Sequence, residues 1–178
     1  MILKFSNIKL ENINYSDLEM LRNVRNQNRE FLINKKEISF EEQVKWFENL
    51  DGKVSTYLSI CSSKTQVGFI YTKFLSDQDI LETGILVDAE SHESSVSALA
   101  AIMLSYYLLY KQSYKELQST VHHKNTKAIA FNKKLGFHVC DIKGELIILS
   151  CTKESFSISN DKLLKRLNFG ENLEVILS

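Results

Sequence analysis

The run from Asn125 to Phe137 joins three useful features: an amide that can cap a helix, an apolar stripe of Ala128, Ile129, Phe131 and Leu135, and Gly136 placed to end that helix in a left-handed conformation. His122 and His123 precede it at the close of a strand-like run. An unperturbed imidazole titrates at about 6.5 and can act as a base, although adjacent histidines equally mark a polar strand end. Ser94, Ser95 and Ser97 open a long Ala/Leu-rich segment. A helix N-terminus there would offer free backbone N–H groups to an anion such as phosphate, or the serines would simply cap an ordinary helix. Arg22, Arg25 and Arg29 precede Phe31, with Trp46 and Phe47 further on. Guanidinium forks grip phosphate and carboxylate, and aromatic faces stack on planar rings; the plain alternative is arginines paired with Glu19 or Glu30 and aromatics in a helix core.

The elements that must position these groups can be read from periodicity. Residues 2–13 alternate as a half-buried first strand, Ser16-x-x-Glu19 forms a capping box for a helix to about Asn26, and Ser39-x-x-Glu42 opens a second helix carrying Val44, Phe47 and Leu50. Residues 57–60, 67–74 and 80–87 are β-branched or aromatic runs separated by turn-rich Ser62-Ser63-Lys64-Thr65 and Ser76-Asp77-Gln78-Asp79. They read as consecutive antiparallel strands. Residues 94–110, apolar on most faces, form a central helix; residues 117–121 are a strand, and residues 137–141 with 146–151 form a hairpin around Lys143-Gly144. The expected order is βααβββαβαββ. Residues 153–178 are expected as a short C-terminal extension packed on the same domain, with Asn160 capping a short helix and residues 173–177 adding an edge strand.

Composition narrows the function. At 178 residues the chain fits one domain, able to bury about 70% of its unfolded surface. Lys plus Arg and Asp plus Glu stand at 22 each, which argues against a partner bound through a general basic field, nucleic acid above all. Cys61, Cys140 and Cys151 are isolated in apolar runs with no zinc-ligand spacing, so free thiols in a reducing cytosol and no metal are expected. The N-terminus lacks the regions of a signal peptide and no stretch reaches the ~20 apolar residues that span a bilayer, so a cytoplasmic protein without membrane contact is expected. There is no Gly-x-Ser-x-Gly elbow and no Walker loop.

The string Asn125-x-x-Ala128-Ile129-x-x-x-x-Lys134-x-Gly136-Phe137 resembles the signature that follows the fifth strand in the GCN5-related N-acetyltransferase (GNAT) superfamily, and the element order is that of its fold. The fold class implied is α/β (α+β): a single-domain GNAT fold over residues 1–152, with a mixed, mostly antiparallel central sheet flanked by helices. The resemblance implies an acyltransferase that uses acetyl-CoA as co-substrate. It places the pantetheine arm along Leu86 and Val87 in the strand Leu81-Glu82-Thr83-Gly84-Ile85-Leu86-Val87-Asp88, where Gly84 permits close approach. It places pyrophosphate at His92 to Ala98, with His92 at the family's Arg/Gln position and Ser94, Ser95, Val96 and Ser97 around the usual glycines. Glu82 falls where relatives carry a carboxylate near the incoming amine; it is either that base or a solvated strand residue. Asn132 replaces the tyrosine that protonates the departing thiolate, and an amide can only hydrogen-bond the sulfur. Asn125 and Phe131 face the cofactor, unless Asn125 does nothing but cap.

Arg25-Asn26 and Ile38-Ser39-x-Glu41-Glu42-Gln43-x-x-Trp46-Phe47 resemble the pattern of members that acetylate nucleotide-linked amino sugars, including those of the pseudaminic acid pathway. That resemblance implies an acceptor site of Arg25, Asn26, Phe31, Trp46 and Phe47, with arginine on the diphosphate and an aromatic face on the sugar or base. The partner would be a small-molecule acceptor and the protein a monomer or homodimer. Two other readings stay open: a protein or small-amine acetyltransferase, and a degenerate binding module, suggested by the absent loop glycines and Asn132.

Overall fold

Ser6 takes a left-handed φ of 54° and turns the chain back between β1 (Ile2–Phe5) and β2 (Ile8–Asn12). The expected single first strand is therefore a hairpin; its apolar alternation runs on across the two-residue polar turn and conceals it. The computed structural model describes residues 1–63, 65–75, 79–88 and 94–177. Lys64, residues 76–78 of the second expected turn, and His92 with Glu93 lie outside the described residues.

The first capping box is Asn14 with Asp17, two residues upstream of the expected one. Asn14 Oδ1 accepts the Ser16 N–H at 2.9 Å, and the Asn14 N–H donates to Asp17 Oδ2 at 2.7 Å. Ser16 lies inside the 3₁₀ turn that Asn14 opens, and its hydroxyl donates to Asn14 Oδ1. A single 3₁₀ turn then leads into α1 (Leu18–Gln27). At α2 (Phe40–Glu48) the Ser39 and Glu42 box forms as read, with Ser39 Oγ accepting the Glu42 N–H at 3.2 Å.

Three long strands follow: β3 (Ser55–Ser62), β4 (Thr65–Phe74) and β5 (Ile80–Val87). After α3 (Ser94–Tyr106), whose last turn widens into a π turn at Tyr107–Lys111, come β6 (Glu116–His122), α4 (Thr126–Lys134), β7 (His138–Lys143) and β8 (Leu146–Thr152). The nine-stranded sheet has the order β7-β8-β6-β5-β4-β3-β2-β1-β9, and β5 with β6 is its parallel pair.

The sheet buries both faces. Leu10, Leu58, Ile60, Leu81, Leu117 and Leu149 pack with Ala100, Met103 and Leu104 of α3. On the other face Ile13 and Phe69 meet Leu21 and Val24 of α1, with Trp46 and Phe47 of α2 alongside.

Residues 153–177 share the first of these cores. Thr152, not Asn160, caps α5 (Lys153–Arg166), through its hydroxyl on the Ser155 N–H at 3.3 Å. Asn160 is instead mid-helix and buried, its Nδ2 donating to Leu135 O at 3.0 Å and Phe156 O at 2.8 Å. Phe156, Phe169 of α6 (Phe169–Asn172) and Leu173 are buried, and β9 (Glu174–Ile176) pairs antiparallel with β1 at the sheet edge.

Candidate functional site

β5 and β6 pair at Ile80, Leu81 and Glu82 against Glu116, Leu117 and Gln118, and then part. β5 continues to Val87 and β6 to His122, so the two strands diverge and a cleft of about 930 Å³ opens between them. Thr83 to Asp88 line one wall, Ser119 to Val121 the other, with Asn125, Lys127, Ala128, Phe131 and Asn132 of the α4 region beside them. Strand edges that have lost each other leave backbone donors and acceptors for an extended ligand. Here the sheet itself makes that edge.

The start of α4 is built as its sequence dictates. Asn125 Oδ1 accepts the Ala128 N–H at 3.0 Å, and Gly136 ends the helix region at φ 100°. A Cβ on Gly136 would lie 2.6 Å from Ser155 O, so this glycine also seats α4 against the start of α5. Asn132 faces the cleft, but its Nδ2 donates to Ala128 O at 2.9 Å, leaving one amide N–H for a ligand.

Across the fork, α1, α2 and the loop of residues 32–38 form the other half of the cleft. Arg25 donates to the Lys36 carbonyl, to Asn34 O at 3.0 Å and to Asn26 Oδ1 at 3.0 Å. Asn26 clasps Ile38 at both ends, donating to its carbonyl at 2.9 Å and accepting its N–H at 3.1 Å. These two residues thus shape the loop around the cleft. Arg22 pairs with Glu19 at 3.5 Å as the plain reading has it, while Arg29 takes Glu37 at 3.2 Å in place of Glu30. Trp46 lines the cleft edge-on to Tyr57, ring centroids 4.8 Å apart, and Tyr57 stacks on Tyr71 at 5.1 Å. Burial, with a smaller contribution from the Glu82 charge, pushes both tyrosine hydroxyls above their ordinary range.

Among the residues singled out in the sequence, Arg25, Phe31, Trp46, Leu86, Val87, Ser97, Asn125, Phe131 and Asn132 line this one cleft. Glu82, Ser95, Val96, Asn26 and Phe47 are not in its lining. Glu82 forms the last β5 to β6 pair, at the root of the fork. Val96 packs on the main core, Ser95 is exposed, and Phe47 packs with α1. His92 and the Ser94 side chain lie outside the described residues.

His122 and His123 stand apart from the cleft lining. His122 Nδ1 accepts the Lys124 N–H at 3.2 Å, which puts the imidazole proton on Nε2, facing Glu145 Oε2 at 3.4 Å, long for a hydrogen bond. That contact, with Lys35 and Lys124 adding to it, holds the Glu145 carboxyl below its usual range. The ligating atoms of His122, His123 and Glu145 lie within 4.8 Å of one another, but His122 Nε2 is a donor in this arrangement and so not free to ligate.

Tyr57, Tyr71, Asn28 and Lys127 are among the cleft residues that the sequence did not single out. Asn28 Nδ2 donates to Val24 O at 2.8 Å and across to Val87 O at 3.3 Å, tying α1 to the end of β5. The strand alternation of Tyr57 and Tyr71 was visible, but which face it meant was not. Gly84 is a correction: a Cβ there would lie 2.5 Å from Tyr71 Oη, so what approaches this glycine closely is the Tyr71 ring.

The sequence matches the family described as acetyltransferase (GNAT) domain over residues 10–149. No curated protein matches it. Solved structures of the same fold include FdhC, a nucleotide-linked sugar GNAT in its apo form, at 17% identity and TM-score 0.76, covering 94% of this chain and 98% of that one. Spermidine N-acetyltransferase from Vibrio cholerae in complex with CoA and spermine aligns at 14% identity and TM-score 0.72 over 84% of this chain and 98% of that one. Ribosomal-protein-alanine N-acetyltransferase from Brucella melitensis aligns at 16% identity and TM-score 0.67, over 80% and 98%. Among the described residues, no helix is long and apolar enough to cross a membrane.

Proposed function

The chain belongs to the acetyltransferase (GNAT) domain family and is an acyltransferase, and from that premise we propose that it moves an acetyl group from acetyl-CoA to the amine of an amino sugar on a nucleotide carrier. The observation that carries the reading is the fork: β5 and β6 part beyond Glu82 and Gln118, and the cleft runs through the sheet from the α3 and α4 side to the α1 and α2 side. A thioester donor entering from one side would meet an amine entering from the other. Leu86, Val87 and the α4 residues would hold the donor's pantetheine arm, and Lys127 near the start of α4 would meet its phosphates.

The acceptor assignment rests on charge and shape. Among the described lining residues the charged side chains are Arg25, Lys127 and Asp88. A polyamine wants carboxylates, and this groove carries two cations to one. Trp46, Tyr57 and Tyr71 form a continuous aromatic wall of the kind that packs on a sugar ring or base. This is the acceptor class in FdhC's description.

In the reaction the amine nitrogen, once deprotonated, bonds to the thioester carbon, and the C–S bond breaks to release a thiolate. With a pKa of about 8.5 that thiolate leaves without an obligatory acid, and the remaining Asn132 N–H can hydrogen-bond the sulfur. Glu82, at the root of the fork, takes the ammonium proton through water. Thermal-shift titration with acetyl-CoA, then with UDP- and dTDP-linked amino sugars, tests the reading. At a hundredfold excess over Kd the expected stabilisation is ~2.7 kcal/mol. No response to millimolar acetyl-CoA sinks the donor assignment, and acetylation of peptides alone sinks the sugar.

A further inference from the structure

We propose that the Tyr71 hydroxyl is a catalytic hydrogen-bond donor, placed over the fork to stabilise the oxyanion that forms when an amine adds to the thioester. The inference rests on the acetyl-transfer reading above and adds a residue to it. Tyr71 pairs with Gly84 across β4 and β5, and Gly84 lies just beyond the last β5 to β6 pair at Glu82. Because residue 84 has no Cβ, the phenol lies across β5, with Oη 2.5 Å from where that Cβ would be. The hydroxyl is therefore held over the strand at the point where the cleft passes through the sheet.

The ring is fixed before any ligand arrives. It stacks on Tyr57 at 5.1 Å and 20°, and Tyr57 is held edge-on by Trp46 at 4.8 Å and 85°. Among the described residues nothing hydrogen-bonds the Tyr71 hydroxyl. An immobile, unengaged donor in a cleft is the arrangement that stabilises developing charge without reorganising.

The ionisation state fixes which role the hydroxyl can play. Burial first, then the charges of Glu82 and Tyr57, push the phenol up, so it remains O–H throughout the neutral range. Protonating a thiolate of pKa about 8.5 would run uphill from such a phenol, so the raised value favours hydrogen-bond donation over proton transfer. It has only to donate: the N–C bond forms, the carbonyl π pair moves onto oxygen, the phenol hydrogen-bonds that oxygen, and the pair returns as the C–S bond breaks. The phenol keeps its proton throughout, and the ammonium proton leaves by way of water and Glu82.

Tyr71→Phe retains the ring over Gly84 and removes only the donor. The assay follows thiol release from acetyl-CoA with the acceptor found in the panel above, or, where none is found, slow hydrolysis by water. Loss of one oxyanion donor should lower kcat about 10²- to 10³-fold. The Kd of acetyl-CoA by calorimetry should stay within twofold, and the pH–rate profile should keep its shape. A variant within threefold of wild type in kcat overturns the proposal, as does disappearance of the alkaline limb, which would make Tyr71 a titrating acid or base. A wild-type protein that binds acetyl-CoA and never cleaves it removes the underlying reading and the proposal together.

Discussion

Gly84→Ala should destabilise the protein only while Tyr71 is present. The added methyl would sit 2.5 Å from Tyr71 Oη, against an ordinary separation of about 3.5–4.0 Å, so the ring must retreat by about 1 Å. Its retreat is resisted by Tyr57, stacked at 5.1 Å, and by Trp46 beyond. Overpacking of this kind costs about 1–3 kcal/mol. Against it stands the backbone term, since Gly84 has no positive φ and Ala in a strand gains about 0.5–1 kcal/mol over Gly. The single variant should therefore lose up to about 2.5 kcal/mol. In a Tyr71→Ala background the clash is gone, and Gly84→Ala should be neutral or stabilising by about 0.5–1 kcal/mol. Urea denaturation of the four proteins measures the coupling directly, expected at about 1–3 kcal/mol. Equal effects of Gly84→Ala in both backgrounds would refute the claim that this glycine exists to seat the Tyr71 ring.

The raised Tyr71 pKa has a stability consequence at high pH. A group whose folded pKa lies above its unfolded value of about 10 contributes fully below that value and loses its contribution as pH rises toward the folded pKa, by at most about 1.4 kcal/mol per pH unit. Urea midpoints of wild type should fall more steeply than those of Tyr71→Phe between pH 10 and 11; parallel slopes would contradict the assignment. Asn160→Ala should cost about 1–3 kcal/mol, because it leaves the Leu135 carbonyl without its side-chain donor and opens a small void. Calorimetric scanning would detect this as a lowered Tm, and an unchanged Tm would mean that water replaces the amide. Burial pushes the Cys151 thiol up to about 11, whereas Cys140 is exposed on β7. Ellman's reagent at pH 8 should therefore modify Cys140 in the native protein and reach Cys151 only on unfolding, with peptide mapping as the readout. Arg25→Ala should raise the acceptor KM severalfold through the freed loop of residues 32–38 while leaving acetyl-CoA affinity unchanged; equal effects on both would mean the loop shapes the whole cleft.

Much of the fold was legible because its signals are short-range. The Ser39 box, the Asn125 cap and the Gly136 stop each involve residues no more than a few positions apart, and the structure places them as read. Where two local solutions competed, the sequence could not rank them. Asn14 with Asp17 and Ser16 with Glu19 are both capping boxes in pattern, and Thr152 and Asn160 are both helix starters. The hairpin at Ser6 escaped notice because a two-residue turn preserves the alternation on either side of it.

The sequence by itself determined the order of elements from α1 to β8 and the α4 segment, since capping and periodicity are properties of neighbouring residues, and the Asn125 to Phe137 string carried the resemblance to the family. Only the tertiary structure decided what the side chains do. Arg25 and Asn26 looked like ligand-gripping groups, but loop carbonyls some ten residues away claim their donors. Gly84 looked like room for a cofactor, and the β4 to β5 register gives that room to Tyr71. Residues 153–177 carried a short helix and an edge strand but no role, and they close the core behind the cleft. Polar groups and empty space are allotted among segments far apart in the chain, and that competition is settled by register and packing, which no local pattern encodes.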